Sequence, residues 1–275
     1  MNNRENLNSY DGVEKVQLTE LSEEGIHAYM KLKLESAESN ANFVRDHVYR
    51  GVPLNVCEIG SGNSKLLYAL ERDNILWGGT GYEVSASRCR LAEKFAEMLQ
   101  SKKVKTVNKN FLEDIPNGEN FDLVVMVDIV FQIIAPLHDN AERDTMEWVS
   151  NALKDGGYLF MEIEDYTEIL LEIERSDGSL RRWVEFGEGD PFQYALHLIQ
   201  KDGDGNLVVK KTHIRRDGGA QDHFRNVIRS YSEEEIQDLL TRSGFSVQIF
   251  PGEFELGEYR GTKRFRVLAQ KVGVK

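Results

Sequence analysis

The sequence predicts an α/β protein: a mostly parallel main sheet carrying an inserted antiparallel β sheet. Three observations predict it. Leu54–Ile59 is a short apolar, β-prone run fenced by Pro53; it enters a Gly60-Ser61-Gly62 turn and then the helical pattern Lys65–Leu70. Strand-like apolar runs alternate with helical patterns as far as about residue 175, as parallel strands with helical crossovers require. At Ser176 the pattern changes to four β-like runs at short spacing.

In chain order, residues 1 to about 18 are polar and read as a loose end, and Met1–Asn6 lacks the apolar core of a signal peptide. From Ser22 to Tyr49 the residues Ile26, Tyr29, Met30, Leu32, Leu34, Phe43 and Val44 predict one or two helices. After the first strand and helix, Leu76–Glu83 reads as a second strand, Ser85 to about Lys102 as a helix and Val104–Asn108 as a third strand. Phe121–Asp128 reads as a fully buried fourth strand, and Ala135-Pro136 to Lys154 as a helix with Met146, Trp148, Val149 and Leu153 inward. Tyr158 onward is a fifth strand, and Tyr166–Glu174 a short amphipathic helix burying Ile169, Leu170 and Ile173.

The four runs of the insertion are Leu180–Phe186, Phe192–Gln200, Leu207–Ile214 and Phe224–Ser230. The links Gly187–Pro191 and Asp202–Asn206 are turn signals, the second typical of a hairpin. Ser232 and Glu235 form a capping-box pattern that starts a helix ending at Ser243-Gly244. Phe245–Phe250 and Lys263–Gln270 read as strands six and seven of the main sheet.

The Gly60-Ser61-Gly62 turn brings backbone close to a ligand, which glycine permits because it has no Cβ. A dinucleotide fingerprint, G-x-G-x-x-G, would place a third glycine where this chain has Lys65. Glu58 stands two residues before Gly60; a carboxylate is a poor neighbour for pyrophosphate and a good one for a cation. Glu58-Ile59-Gly60-Ser61-Gly62 resembles the first motif of class I S-adenosylmethionine (SAM)-dependent methyltransferases. Four further segments follow in that family's order: Gly81-Tyr82-Glu83, Asn110-Phe111-Leu112, Phe121–Val125 and Leu153–Gly157. The resemblance covers about Leu54 to Glu164, with a weaker match from Tyr231 to Lys271.

The resemblance implies a Rossmann-like methyltransferase sheet of seven strands, mostly parallel with an antiparallel last strand, whose edge hairpin is formed by Phe245–Phe250 and Lys263–Gln270. It implies that Glu58, Ile59, Gly60, Ser61 and Gly62 border the methionine part of SAM, and that Glu83, with Val84 beside it, binds the ribose diol. Asn110, Phe111 and Leu112 would meet the adenine, and Val127 would lie beside the reacting methyl. It further implies three parts: a helical lid over 1–53, a cofactor-binding domain over 54–175 and 231–275, and a substrate lid over 176–230. Small-molecule members, including glycine and amino-sugar N-methyltransferases, often carry such an insertion.

Methyl transfer to an amine needs only a neutral nitrogen, whereas a hydroxyl needs a general base. Asp128, which follows the fourth strand, His138 and Tyr166 are candidates; His138 and Tyr166 lead, because both should sit at the carboxyl edge of the sheet, where open α/β sheets bind ligands. Glu162, Glu164, Asp165, His197 and His213 are further candidates; for each a hydrogen-bonded structural role, a cap or a solvated position competes.

The 275 residues are 40% hydrophobic, and no run approaches the roughly 18 apolar residues of a membrane span. Cys57 and Cys89 are in no ligand spacing, so a pair of core thiols is expected, with no metal site and a cytoplasmic setting. A net charge of −12 disfavours a duplex DNA partner. Ser179–Ser230 carries +2 against −14 for the remainder, a contrast that could suit an anionic small-molecule acceptor. A homodimer is compatible with this reading. The expected activity is methyl transfer to N or O of a sugar, amino acid or specialised metabolite. An RNA or protein methyltransferase, an NAD(P)-dependent oxidoreductase and a non-catalytic SAM-binding subunit are the alternatives.

Overall fold

A computed structural model describes residues 22–113, 121–188, 192–218, 222–252 and 262–273. The expected loose N-terminus and the residues 189–191 of the first expected turn lie outside them. The first helix, α1 (Glu23–His47), is single where one or two were expected. Ser22 Oγ accepts the Gly25 N–H at 3.1 Å, Glu23 and Glu24 occupy the first turn and Arg45 the last, signs that suit the helix dipole.

The βα units follow: β1 (Leu54–Ile59), α2 (Lys65–Arg72), β2 (Leu76–Tyr82), α3 (Ala86–Leu99), β3 (Val104–Val107) and β4 (Phe121–Met126). Then come a short α4 (Val130–Ile134), α5 (Ala141–Ala152), β5 (Leu153–Asp165) and α6 (Thr167–Arg175). Here the sequence reading needs correction. The helix expected from Ala135 is broken: Ala135–Leu137 is one 3-10 turn containing Pro136, His138 is extended, and α5 starts only at Ala141. Proline lacks the N–H that a continuing helix needs. At the other end Lys154 belongs to β5 rather than to the helix. Gly156, at φ +76°, lets the strand bulge so that Phe121 faces Leu153 while Leu123 faces Tyr158.

The insertion forms a separate four-stranded antiparallel sheet of β6 (Ser179–Glu185), β7 (Phe192–Lys201), β8 (Leu207–Arg215) and β9 (Asp222–Ile228), in that spatial order. Its β7–β8 turn is held by the Asp202 carboxylate, which accepts the N–H groups of Asp204 and Asn206. The chain then returns through α7 (Glu233–Arg242), with the expected capping box at Ser232 and Glu235, to β10 (Phe245–Pro251) and β11 (Lys263–Lys271).

The main sheet has the order β10-β11-β5-β4-β1-β2-β3. The pairs among β1 to β5 are parallel; β11 is antiparallel to both β5 and β10. Alternation buries both faces. Cys57, Ile59, Val124 and Met161 pack against Trp148 of α5 and Ile236 of α7, while Val56, Leu123, Val125 and Phe160 pack against Val44 of α1 and Leu66 and Leu70 of α2. The smaller sheet closes on α6, where Ile169 and Ile173 meet Ile199, Leu207, Val209 and Ile228. Both cysteines are buried and free. Among the described residues no helix is long and apolar enough to cross a membrane.

Candidate active site

Strand order reverses between β1 and β4, so the loops leaving those two strands diverge and open a crevice at the sheet's carboxyl edge. A cavity of about 460 Å³ fills it. Its floor is the expected turn. Gly60 and Gly62 have φ of +67° and +55°, and a Cβ on Gly60 would come within 2.6 Å of the Val130 side chain. The turn is fixed from β2: Ser61 N–H donates to the Tyr82 carbonyl at 3.0 Å. Gly62 N–H donates to one oxygen of Glu83 and Ser85 N–H to the other, each at 2.8 Å. Each carboxylate oxygen keeps a lone pair for a further donor.

Two supports escaped sequence reading. A Cβ on Gly81 would lie 2.5 Å from Ser61 Oγ, so the turn packs directly on a glycine of β2. Asn108 Nδ2 donates to the Glu83 and Val84 carbonyls, tying the end of β2 to the segment after β3. The first had a signal, because Gly78, Gly79 and Gly81 are unusual inside a strand. The second has none at the level of sequence.

Glu58, Ile59, Gly60, Ser61, Gly62, Glu83, Val84, Asn110, Phe111, Val127 and Asp128 all border this one cavity. Leu112 does not; it packs against the core cluster of α5 and the sheet, because the 3-10 turn Phe111–Glu113 rotates it inward. Phe111 stands edge-on to Trp148 with ring centroids 5.1 Å apart, and Asn110 Oδ1 accepts the Leu112 N–H at 3.2 Å.

Glu58 is 2% exposed, and its Oε2, like Ser61 Oγ, has no hydrogen-bond partner among the described residues. Burial pushes its carboxyl up to about 8, with Lys65 pulling the other way and Asp128 and Glu83 adding to the rise. Asp128 is in the left-handed region at φ +53° and ion-pairs with Lys65 at 3.0 Å. The Lys65 ammonium beside it holds this carboxyl below the ordinary range. Lys65, in the slot where a dinucleotide turn has glycine, therefore faces two acids.

Toward the insertion the cavity is bordered by Ile133, Tyr166, Lys211, Asn226, Ile228 and Arg264. Tyr166 is 1% exposed, and its hydroxyl donates to the buried Glu164 carboxylate, which also accepts from Arg264 Nε at 2.6 Å. Register explains the pair, since Arg264 is the direct cross-strand partner of Glu164, as Arg266 is of Glu162. Gln132, fully buried, accepts the Glu164 N–H and donates to the Glu164 and Arg229 carbonyls; Ser230 Oγ accepts the Tyr166 N–H. These bonds tie the end of the smaller sheet to the carboxyl edge of the larger one. Alternating charges in otherwise apolar strands, E-x-E in β5 and R-x-R in β11, were the signal available.

His138 is the other correction. It is exposed and does not border the cavity, because the broken helix carries it outward after Leu137. His213 packs among Phe186, Phe192 and Phe224, and His197 is buried in the smaller sheet. Glu162 accepts the Asp128 N–H at 3.1 Å, and Asp165 accepts the Thr167 N–H just before α6. Among the described residues no group of three His, Cys, Asp or Glu could hold a metal ion.

Comparison with known structures fits this geometry. A SAM-dependent methyltransferase from Clostridium acetobutylicum superposes with a TM-score of 0.67 at 15% identity, covering 94% of this chain and 96% of its own. The fold is that of the SAM-dependent methyltransferases. An amino pentose methyltransferase from Micromonospora echinaspora, solved with SAM bound, shares this methyltransferase fold at a TM-score of 0.60, with 15% identity and coverage of 87% and 92%. So does a sugar N-methyltransferase from Streptoalloteichus, at 0.56, 16% identity and coverage of 86% and 87%. A mitochondrial ubiquinone biosynthesis O-methyltransferase of Candida albicans is 28% identical over 120 residues, 42% of this chain. The match spans about a third of that relative's length, 34%. No protein-family model matches the chain.

Proposed function

We propose that the chain is a SAM-dependent methyltransferase that methylates N or O of a small molecule such as a sugar, an amino acid or a specialised metabolite. One observation carries this reading: Glu58, a buried carboxyl group whose Oε2 has no hydrogen-bond partner among the described residues, stands against a two-glycine turn at the sheet's switch point. A cationic ligand satisfies that group and a pyrophosphate does not.

When bound, SAM supplies the electrophilic methyl; the protein supplies alignment and electrostatics. Glu58, Ile59, Gly60, Ser61 and Gly62 hold the methionine part. Glu83, already braced by two backbone N–H groups, accepts from the ribose hydroxyls, with Val84 beside it. Asn110 and Phe111 border the adenine, and Val127 the methyl. We assign no part to Leu112 or His138, which are not among the residues bordering the cavity. We assign the base's role to Tyr166, which borders the cavity: it takes the proton that the acceptor nitrogen or oxygen loses on methylation and passes its own to Glu164, to which its hydroxyl already donates. Arg264 fixes that carboxylate in place, and Asp128 holds Lys65. The inserted sheet and α1 cover the acceptor, as substrate and N-terminal lids on a domain made of 54–175 and 231–275.

Calorimetric titration with SAM and with NADH tests the cofactor. Saturable SAM binding and none of NADH is expected; the reverse would overturn the reading. Labelled methyl transfer to a metabolite extract, against RNA and protein extracts, then tests the acceptor class. Label found only in RNA or protein would favour a macromolecular substrate, and binding without turnover a non-catalytic subunit.

A further inference from the structure

We propose that the acceptor is a largely apolar molecule that presents a neutral hydrogen-bond donor, a hydroxyl or an uncharged N–H, to Asn226 of the smaller sheet. This rests on the methyltransferase reading and narrows the substrate class for the same cavity.

Three observations converge. First, Asn226 of β9 is 5% exposed and borders the cavity, and its Oδ1 has no hydrogen-bond partner among the described residues. An amide oxygen only accepts, so an O–H or N–H is what satisfies it; unmet, it carries the cost of having left water. Second, its polar neighbours at this end of the cavity are already matched. The Tyr166 hydroxyl donates to Glu164, Arg264 Nε donates to the same carboxylate, and Lys211 is engaged within the protein. Third, the rest of this wall is apolar. Ile129, Ile133 and Ile228 border the cavity and pack in the cluster between α6 and the smaller sheet. Ile129 does so at φ +60°, a conformation that a β-branched residue rarely adopts and that clusters at functional sites. A ring carrying many hydroxyls would take them out of water against these isoleucines, whereas an apolar body gains by the same burial. An ammonium would leave water for a neutral amide, with Glu164 already bonded to Arg264; an uncharged donor avoids that cost. Gln132 and Ser230 anchor the end of β9 to β5, so Asn226 stands in place before the acceptor arrives.

The test titrates protein saturated with S-adenosylhomocysteine with matched probes: phenol and anisole, indole and N-methylindole, aniline and N,N-dimethylaniline, with glucose as the many-hydroxyl control. At least one donor should bind about tenfold or more tighter than its capped partner, and tighter than glucose, because the capped partner leaves a buried acceptor unmet. The pair that responds tells a hydroxyl from an N–H. Asn226→Leu should bring that pair to within about twofold of each other and leave S-adenosylhomocysteine affinity within about twofold; Asn226→Asp, which keeps an accepting oxygen, should retain most of the preference. Equal affinity within every pair, no saturable binding of any apolar donor, glucose bound more tightly than all of them, or a donor preference that survives Asn226→Leu overturns the proposal. The wild-type comparison decides even where a variant does not fold, and retained S-adenosylhomocysteine affinity shows that one has. Failure of the wild type to bind S-adenosylhomocysteine at all overturns instead the methyltransferase reading beneath it.

Discussion

Glu58 is a carboxyl group cut off from water and surrounded by charge. Its ordinary value is 4.5, and burial, the largest influence, pushes it up to about 8, against Lys65 and with Asp128 and Glu83. Between those two values the unfolded chain has lost a proton that the folded chain keeps, so this group's contribution to stability falls as pH rises through the window. Glu58→Gln should flatten that fall, which thermal unfolding of the ligand-free protein between about pH 5 and pH 8 will show. A cation beside Glu58 favours its ionised form. SAM binding near pH 7 should therefore release a proton and tighten as pH rises toward 8. Calorimetry in two buffers of different ionisation enthalpy counts that proton; an equal count in wild type and Glu58→Gln removes the role. Glu83 acts through geometry. Glu83→Ala should weaken SAM at least about tenfold, since it removes the ribose acceptor and releases the Gly62 and Ser85 N–H groups. Unchanged affinity would remove that assignment.

Elements position these residues through contacts that tolerate little change. The glycine turn rests on β2, and Gly81→Ala would put a methyl 2.5 Å from Ser61 Oγ. Its expected effect is a loss of SAM affinity of about tenfold or more with little change in denaturant midpoint, because the turn and not the core must move. Gln132 performs a similar task between β5 and β9. Replacing it by Leu keeps the volume but strands buried backbone groups of Glu164 and Arg229, at a cost of about 2 to 3 kcal/mol. Urea unfolding will measure it as a lower midpoint with an unchanged slope. A midpoint within error of wild type would show that these groups find other partners.

At the scale of the molecule, Arg266 of β11 links the main sheet to α1. Its guanidinium reaches Ser39 and Asn40 of α1, lies over the Phe43 ring at 5.0 Å, and faces Glu162 of β5 at 3.6 Å. Arg266→Met would leave Glu162 buried without its cation and loosen α1, whose Lys33 borders the cavity, and should cost about 3 kcal/mol. Loss of stability with SAM affinity intact would confine its role to the scaffold.

Much of this architecture was legible in the residues alone, and for local reasons. Apolar runs of period two between helical patterns of period 3.6 mark the strands and helices of the main sheet, and glycine and aspartate at fixed offsets mark the turns at Gly60 and Asp202. The broken helix near Pro136 was misread because an amphipathic pattern continues through a residue that cannot continue the hydrogen bonding; His138 was misplaced with it.

What sequence determined by itself is therefore the set of elements, their order and the glycine turn flanked by Glu58 and Glu83, since each depends on neighbours a few positions away. Tertiary structure alone decided that Glu164, Tyr166 and Arg264 meet, that Gln132 joins two sheets, and that Asn226 and Lys211 close the cavity. Those contacts join residues as much as 100 positions apart, and their register is set by pairing between strands, which no local pattern encodes.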